Sequence, residues 1–390
     1  MKNHLIVILQ PFNITGFLKT RVSLISRSMN HYSILYGEYE MIEKEIREQG
    51  RTVNYAMLSL FQYIASILVI LVHCQRIFSN EILHFSQKSM FGRMAVPFFL
   101  ISSAFMLKSS LAKKKQIKTY VRGILKQYIL WSAFYLPYAL IYFWSLPVEK
   151  YYAPLALIAG FLYIGLCYQL WYIPAFLLGL LIVHYLYTKI GLKWAVVVSF
   201  ILYLLGSIET YYSYFANTWP THLYDAYARM FFSTRNGLFY APIFILFGYL
   251  LHDYWNCDFF KKYIGKKFLL ASILLCLDGW LVFVNQGIDK NFFLALLPFS
   301  LFLVNGVLRT RIGQKRNLYH LKELSVLYFF LHPIFIESSF YLLRETNISN
   351  WHKGQIVFVL TIALTHLTSE IILKFRKSVF ARQKNGNTTV

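Results

Sequence analysis

Polar, ionisable and amphipathic groups interrupt the apolar stretches of this chain where imidazole and guanidinium are costly to bury. His73 ends the run "YIASILVILVHCQ", and Arg93 opens "GRMAVPFFLISSAFML". Trp171 and Tyr172 stand in "QLWYIPAFLLG", and Arg235 with Asn236 in "STRNGLFYAPIFILFG". In "SVLYFFLHPIFIESSF", His332 precedes Pro333 and Glu337 follows, while Asp278 lies in another apolar run. An imidazole titrates near neutral pH and can take a proton from a sugar hydroxyl, or carry an acyl group itself for an instant. Arginine and asparagine donors can stabilise the oxyanion of an acyl-transfer intermediate. Either route makes an ester.

Each residue also has a plainer reading. A single arginine at a helix end snorkels to lipid headgroups, and tryptophan and tyrosine collect at the membrane–water boundary. Pro333 frees a backbone carbonyl one turn earlier, which His332 could satisfy. The case for a site rests on four separate apolar runs contributing such groups at similar depth, each costing several kcal/mol unless paired or hydrated.

The elements that must position them are membrane helices. Of 390 residues, 57% are hydrophobic and 14% charged, a balance that makes lipid the main solvent of the chain. About ten segments carry enough apolar length: 54–73, 90–107, 127–146, 169–187, 193–208, 238–251, 267–284, 290–307, 324–343 and 355–374. "YYAPLALIAGFLYIGL" is an eleventh span or, as its Pro154, Gly160 and tyrosines favour, a helix in the interface. The expected fold class is all-α, a polytopic membrane helix bundle with about ten transmembrane helices.

The excess of 39 Lys and Arg over 17 Asp and Glu would suggest a nucleic-acid partner in a soluble protein. Here the bases fall mainly in short segments between apolar runs, so no nucleic-acid partner is expected, and membrane lipid is. "LKSSLAKKKQIKTYVRGILK" has seven basic residues and no acidic one, which places it in the cytosol. Lys189 and Lys193, the lysines at 261–267, Arg309 to Lys322 and the tail then fall on the same side, with both termini cytosolic. The organisation expected is a cytosolic extension, residues 1–53, with an amphipathic helix from about Tyr36 to Gln49; a membrane domain, residues 54–375; and a basic tail, residues 376–390. Four scattered cysteines suggest neither a disulfide framework nor a zinc site, and no metal is expected.

An ester needs an acyl donor. A cytosolic acyl-CoA has phosphates that require positive charge, and Lys113, Lys114, Lys115, Lys118 and Arg122 lie on the correct side, although the same residues also serve to fix topology. A donor bound inside and a histidine near the outer face stand most of the hydrocarbon thickness apart, so the acyl arm must thread into the bundle.

The ordered set of an apolar helix ending in His, "GRMAVPFFLISSAFML", a basic loop leading to "YILWSAFYLPY", "QLWYIPA", "TRNGLFYAPIFILFG" and "LSVLYFFLHPIF" resembles the membrane acyltransferase family 3, over roughly residues 55–375. The resemblance implies an enzyme transferring groups other than amino-acyl groups: a multi-pass O-acyltransferase, O-acetyl by the family's habit, of the plasma membrane. It implies no bound cofactor, acyl-CoA (acetyl-CoA) as donor substrate, and a cell-surface polysaccharide or lipid-linked sugar as acceptor. On it His73 is catalytic, Arg93, Arg235, Asn236, Trp171, Tyr172 and His332 bind substrate, and Lys118 and Arg122 meet the donor. The family's basic residue ten positions clear of the histidine is Gln62 here, which means a changed donor contact, compensation by another base such as Arg122, or a weakened enzyme, and its Ser-Gly reads Ser102, Ser103, Ala104. Two rivals remain: a transporter or flippase for a glycan precursor, and an inactive sensing or assembly subunit of the same fold.

Overall fold

The computed structural model describes residues 53–112, 116–147 and 149–386, with side chains to residue 379. The extension expected to hold a helix at Tyr36 to Gln49, and Lys113 to Lys115, lie outside the described residues. Every regular element described is helical, with no strand among the described residues. The main helices are α1 (Tyr55–His73), α2 (Glu81–Ala112), α3 (Ile117–Ser145), α4 (Lys150–Ile164), α5 (Tyr172–Ile190), α6 (Leu192–Ser207), α7 (Trp219–Phe231), α8 (Ala241–Asp253), α9 (Ile264–Val284), α10 (Leu296–Arg309), α11 (Tyr319–Leu342) and α12 (Asn350–Gly386).

Each of the ten expected spans falls largely within one of these helices. Among the described residues, α1, α2, α5, α9, α11 and the first thirty residues of α12 are long and apolar enough to cross a membrane. Helices α6, α8 and α10 are apolar but shorter, with 16, 13 and 14 residues. α8 is buried nearly all round, as an apolar helix inside a bundle must be. Residues 150–164 form a helix of about 22 Å at 1.5 Å per residue, too short to cross about 30 Å of hydrocarbon alone.

Two stretches differ from expectation. The loop from Glu209 to Arg235 contains α7, started by Pro220 in its first turn and strongly amphipathic. Its His222, Asp225 and Arg229 dilute the apolar count, so composition alone hides it. At the other end, α12 continues past the expected domain boundary at residue 376 to Gly386, and Arg376 is ion-paired to Glu323.

The apolar interior has two parts. One joins α2, α8, α10 and the inner faces of α6 and α9; the other joins α1, α3, α11 and α12. α1 touches both α2 and α11, so it forms the seam. α1 and α11 run in the same direction: Ser325 Oγ donates to the Gln62 carbonyl at 2.9 Å, the Tyr63 and Tyr328 hydroxyls meet at 3.0 Å, and the His73 and His332 rings stack beyond.

The close contact of α2 with α8 answers the Ser102–Ser103–Ala104 departure. The small residue it needs is on the partner helix: a β-carbon at Gly248 would lie 2.5 Å from the Ile101 carbonyl oxygen and 2.6 Å from Ala104 Cβ. Gly248→Ala is expected to destabilise the fold by about 1–3 kcal/mol through overpacking. Thermal unfolding in detergent checks it, and Ala104→Gly should restore part of the loss because the two β-carbons compete for one space.

Candidate active site

His73 closes α1, and two rings define its setting. Tyr168 lies 4.5 Å away between centroids, and His332 stacks on His73 at 5.7 Å with 25° between the planes. His332 is fully buried, and its Nδ1 lies 2.7 Å from the Tyr328 carbonyl. A carbonyl only accepts, so Nδ1 carries a proton. Its Nε2 is buried without a partner.

Arg93 reaches the site because α2 is irregular there. A π-helical turn over Ser86–Phe91 and a 3₁₀ turn over Gly92–Met94 precede the regular helix, a deformation common at functional sites. Gln87 Nε2 donates to the Leu71 carbonyl at 3.1 Å, and any β-carbon at Gly92 would run into the Val72 side chain. The α2 backbone thus passes close beside the end of α1. Arg93 then pairs with Asp289 at 3.2 Å, and its Nε is buried without a partner.

Arg235 lies in the turn between α7 and α8. Its guanidinium carbon sits 4.8 Å from the centre of the Trp171 ring, and Nη1 donates to Asn291 Oδ1 at 3.4 Å. Asn291 is the hub of a network. Its Nδ2 donates to Asp289 Oδ2 at 2.5 Å and to Glu209 Oε1 at 3.0 Å. Glu209 in turn accepts from the Thr234 backbone N–H at 2.9 Å and the Thr234 hydroxyl at 2.7 Å. Burial pushes the Asp289 carboxyl up, but the charges of Arg93 and Arg235 outweigh it and hold the carboxyl below its ordinary range. The two arginines are therefore fixed by an anion and an amide.

His73, Arg93, Arg235, Trp171 and Tyr172 all line one cavity of about 630 Å³, together with Gln62. Arg93 and Ser110 both line it, 17 residues apart on α2, which is about 25 Å of helix. That length is comparable to most of the hydrocarbon thickness of a bilayer. At the end far from His73 the wall includes Gln116, Thr119, Lys322 and Arg376.

Four expected site residues are not in that wall. Lys118 and Arg122 lie on exposed positions of α3, because the helix begins at Ile117 and turns its basic face outward. Asn236 is buried and spends its amide on the local fold: Nδ2 donates to Tyr163 and Tyr227 hydroxyls at 2.6 and 2.8 Å, and Oδ1 accepts from Leu238 and Phe239 N–H. It shapes the turn that presents Arg235. His332 touches the site through the His73 ring and does not line the cavity.

Glu209, Asp289, Asn291, Tyr168 and Gln169 escaped the sequence reading. Asp289 and Glu209 stand in segments that read as outer loops, where acidic residues are ordinarily solvated, and nothing local marks them. Gln169 lines the cavity with both amide atoms buried and unpartnered, a costly state that a hydrogen-bonding ligand would relieve. Asp278, for which sequence suggested no role, ties α9 to the start of α10 by accepting from the Tyr211 hydroxyl at 2.5 Å and the Ala295 N–H at 2.8 Å.

Comparison with known proteins adds lineage to this geometry. The chain is 26% identical over 272 residues to an amino-acid racemase of Enterococcus faecalis, covering 68% of this chain and 37% of that protein. It is 27% identical over 321 residues to a serine/alanine racemase of Enterococcus gallinarum, with 77% and 44% covered. A second amino-acid racemase of Enterococcus faecalis is 23% identical over 342 residues, with 83% and 46% covered. The chain thus spans less than half the length of these curated relatives. No solved structure matches it significantly. The model of the acyltransferase domain of family 3 matches residues 56–370, nearly the whole helical bundle and every residue of the arginine–histidine cluster, and the chain belongs to that acyltransferase family.

Proposed function

We propose that the protein is an integral membrane O-acyltransferase, O-acetyl in the first instance, that moves an acyl group from a cytosolic acyl-CoA to a hydroxyl of a cell-surface polysaccharide or its lipid-linked precursor. The observation that carries this reading is the continuous cavity from His73, Arg93 and Arg235 to Lys322 and Arg376. It supplies the path that a donor on one face and a base near the other require. In this reading the ten apolar helices cross the plasma membrane with both termini in the cytosol.

The chemistry follows from the groups present. The acceptor hydroxyl gives its proton to His73 as its oxygen attacks the thioester carbon, and the carbonyl electrons move onto oxygen. Arg93 and Arg235 face that developing oxyanion as preorganised donors. Collapse re-forms the carbonyl and breaks the carbon–sulfur bond, and the thiolate takes the proton from His73 to leave as CoA thiol. Trp171 offers a flat face for a sugar, with the Arg235 guanidinium already on it. Gln62, its Oε1 buried without a partner in the cavity wall, contacts the donor by hydrogen bonding in place of the basic residue that the family resemblance implies.

The test compares base-labile acyl esters on surface glycans, scored by mass, in cells with the intact gene and with a deletion. Esters are expected to vanish in the deletion; unchanged esters in cells that express the protein would sink surface-glycan acylation. A second reading has one observation of its own. Three relatives are named for amino-acid racemisation, and Arg93 and Arg235 in the cavity wall would receive a carboxylate, so the cavity would pass a small amino acid. Uptake of labelled serine into proteoliposomes with its mass unchanged would favour that carrier over the enzyme.

A further inference from the structure

The far half of the cavity has charged walls to which the acyl-transfer steps give no task. Tyr319, Lys322 and Glu323 on the first turns of α11, and Arg376 on α12, line it. The Lys322 ammonium lies 5.6 Å from the centre of the Tyr319 ring. Arg376 is ion-paired to Glu323, each side chain only 11% exposed. Glu323 is flanked on its other oxygen by His320 Nδ1 at 4.0 Å, and His320 Nε2 meets Glu370 at 2.6 Å. The carboxylate is thus braced from α11 and α12 together. A guanidinium that already holds a planar oxyanion, with a lysine on the same wall, is the equipment that recognises phosphate.

Spacing supports the assignment. Ten residues separate Lys322 from His332, about 15 Å along α11, and His332 stacks on His73. Between its diphosphate and its sulfur, acyl-CoA has a chain of about a dozen bonds with two amides, which extends to about 15 Å at peptide-like spacing. A diphosphate at Lys322 therefore brings a thioester to His73.

We infer that Lys322 and Arg376 form the phosphate-binding site of the acyl-CoA donor, with Glu323 holding Arg376 until a donor phosphate takes its place. This rests on the acyl-transfer reading and replaces Lys118 and Arg122 as its donor contacts. The test is titration of acetyl-CoA into the full chain in phosphatidylcholine nanodiscs. Lys322→Gln and Arg376→Gln are each expected to raise Kd about tenfold, the loss of one charge-assisted contact, whereas Lys322→Arg stays near wild type. Adenosine 3′,5′-bisphosphate, which has phosphates but no acyl arm, should compete in the wild type and lose potency in both variants. Arg376→Gln removes the guanidinium partner of Glu323, so Glu323→Gln with Arg376→Gln is measured beside it and should bind as weakly while melting like the wild type. Wild-type binding with unchanged affinity in all variants overturns the site while sparing acyl transfer. An effect seen only in discs containing anionic lipid makes the site one for a lipid headgroup and also overturns it. Failure of the wild type to bind acetyl-CoA removes the acyl-CoA reading and this site with it.

Discussion

His73→Ala is expected to lower acyl transfer about 10²–10⁴-fold at equal membrane abundance, the range that a positioned general base supplies. The geometry predicts a chemical loss more than a folding loss. His73 ends its helix, half-buried, with its ring against Tyr168 and His332 and its edge in the cavity wall. The variant should therefore keep its thermal transition within a few degrees. The measurement is ester formation on surface glycans, with the purified chain's melting curve as control. A variant that folds and still acylates at the wild-type rate would remove His73 from the chemistry and leave the cavity as a conduit.

Arg235→Gln is expected to lower the same rate about 10²–10³-fold, the usual cost of losing an oxyanion donor. The residue is held by three different constraints: the Trp171 face, the Asn291 amide and the turn shaped by Asn236. Arg235→Lys keeps a charge but loses the planar fork, so it should recover only part of the activity. A structural role predicts another pattern, in which both variants fall with stability and in proportion to it. Parallel kcat and melting measurements separate the two. Unchanged kcat with a raised KM in Arg235→Gln would place the residue on the acceptor and away from the developing charge.

Much of the architecture was legible without coordinates because lipid imposes simple rules. Apolar runs of about 20 residues separated by basic segments can only be helices, since every backbone group must be paired within the segment. The same rules made His73, Arg93 and Arg235 conspicuous, because ionisable groups are expensive there. The family resemblance, carried by ordered motifs from "VHCQ" to "FLHPIF", is matched by the family model over residues 56–370.

What lay beyond the sequence was which charges face one another. Lys118 and Arg122 share composition with Lys322 and Arg376, yet the first pair is exposed on α3 and the second lines the cavity, because helix rotation is set by packing against neighbours and not by local sequence. Glu209 and Asp289 stand 80 residues apart in segments that look solvated, and only the fold brings both to Asn291. Gln62 was visible as a departure from the family, but that its amide oxygen is buried in the cavity wall needed α1 and α11 side by side. Sequence by itself pointed to a bundle of apolar helices of membrane-protein character, with a histidine and arginines near the ends of several of them. Tertiary structure decided which of its many bases share a cavity with that histidine, since a side chain's partners across a bundle depend on the rotation and tilt of whole helices, and those are settled by contacts hundreds of residues apart.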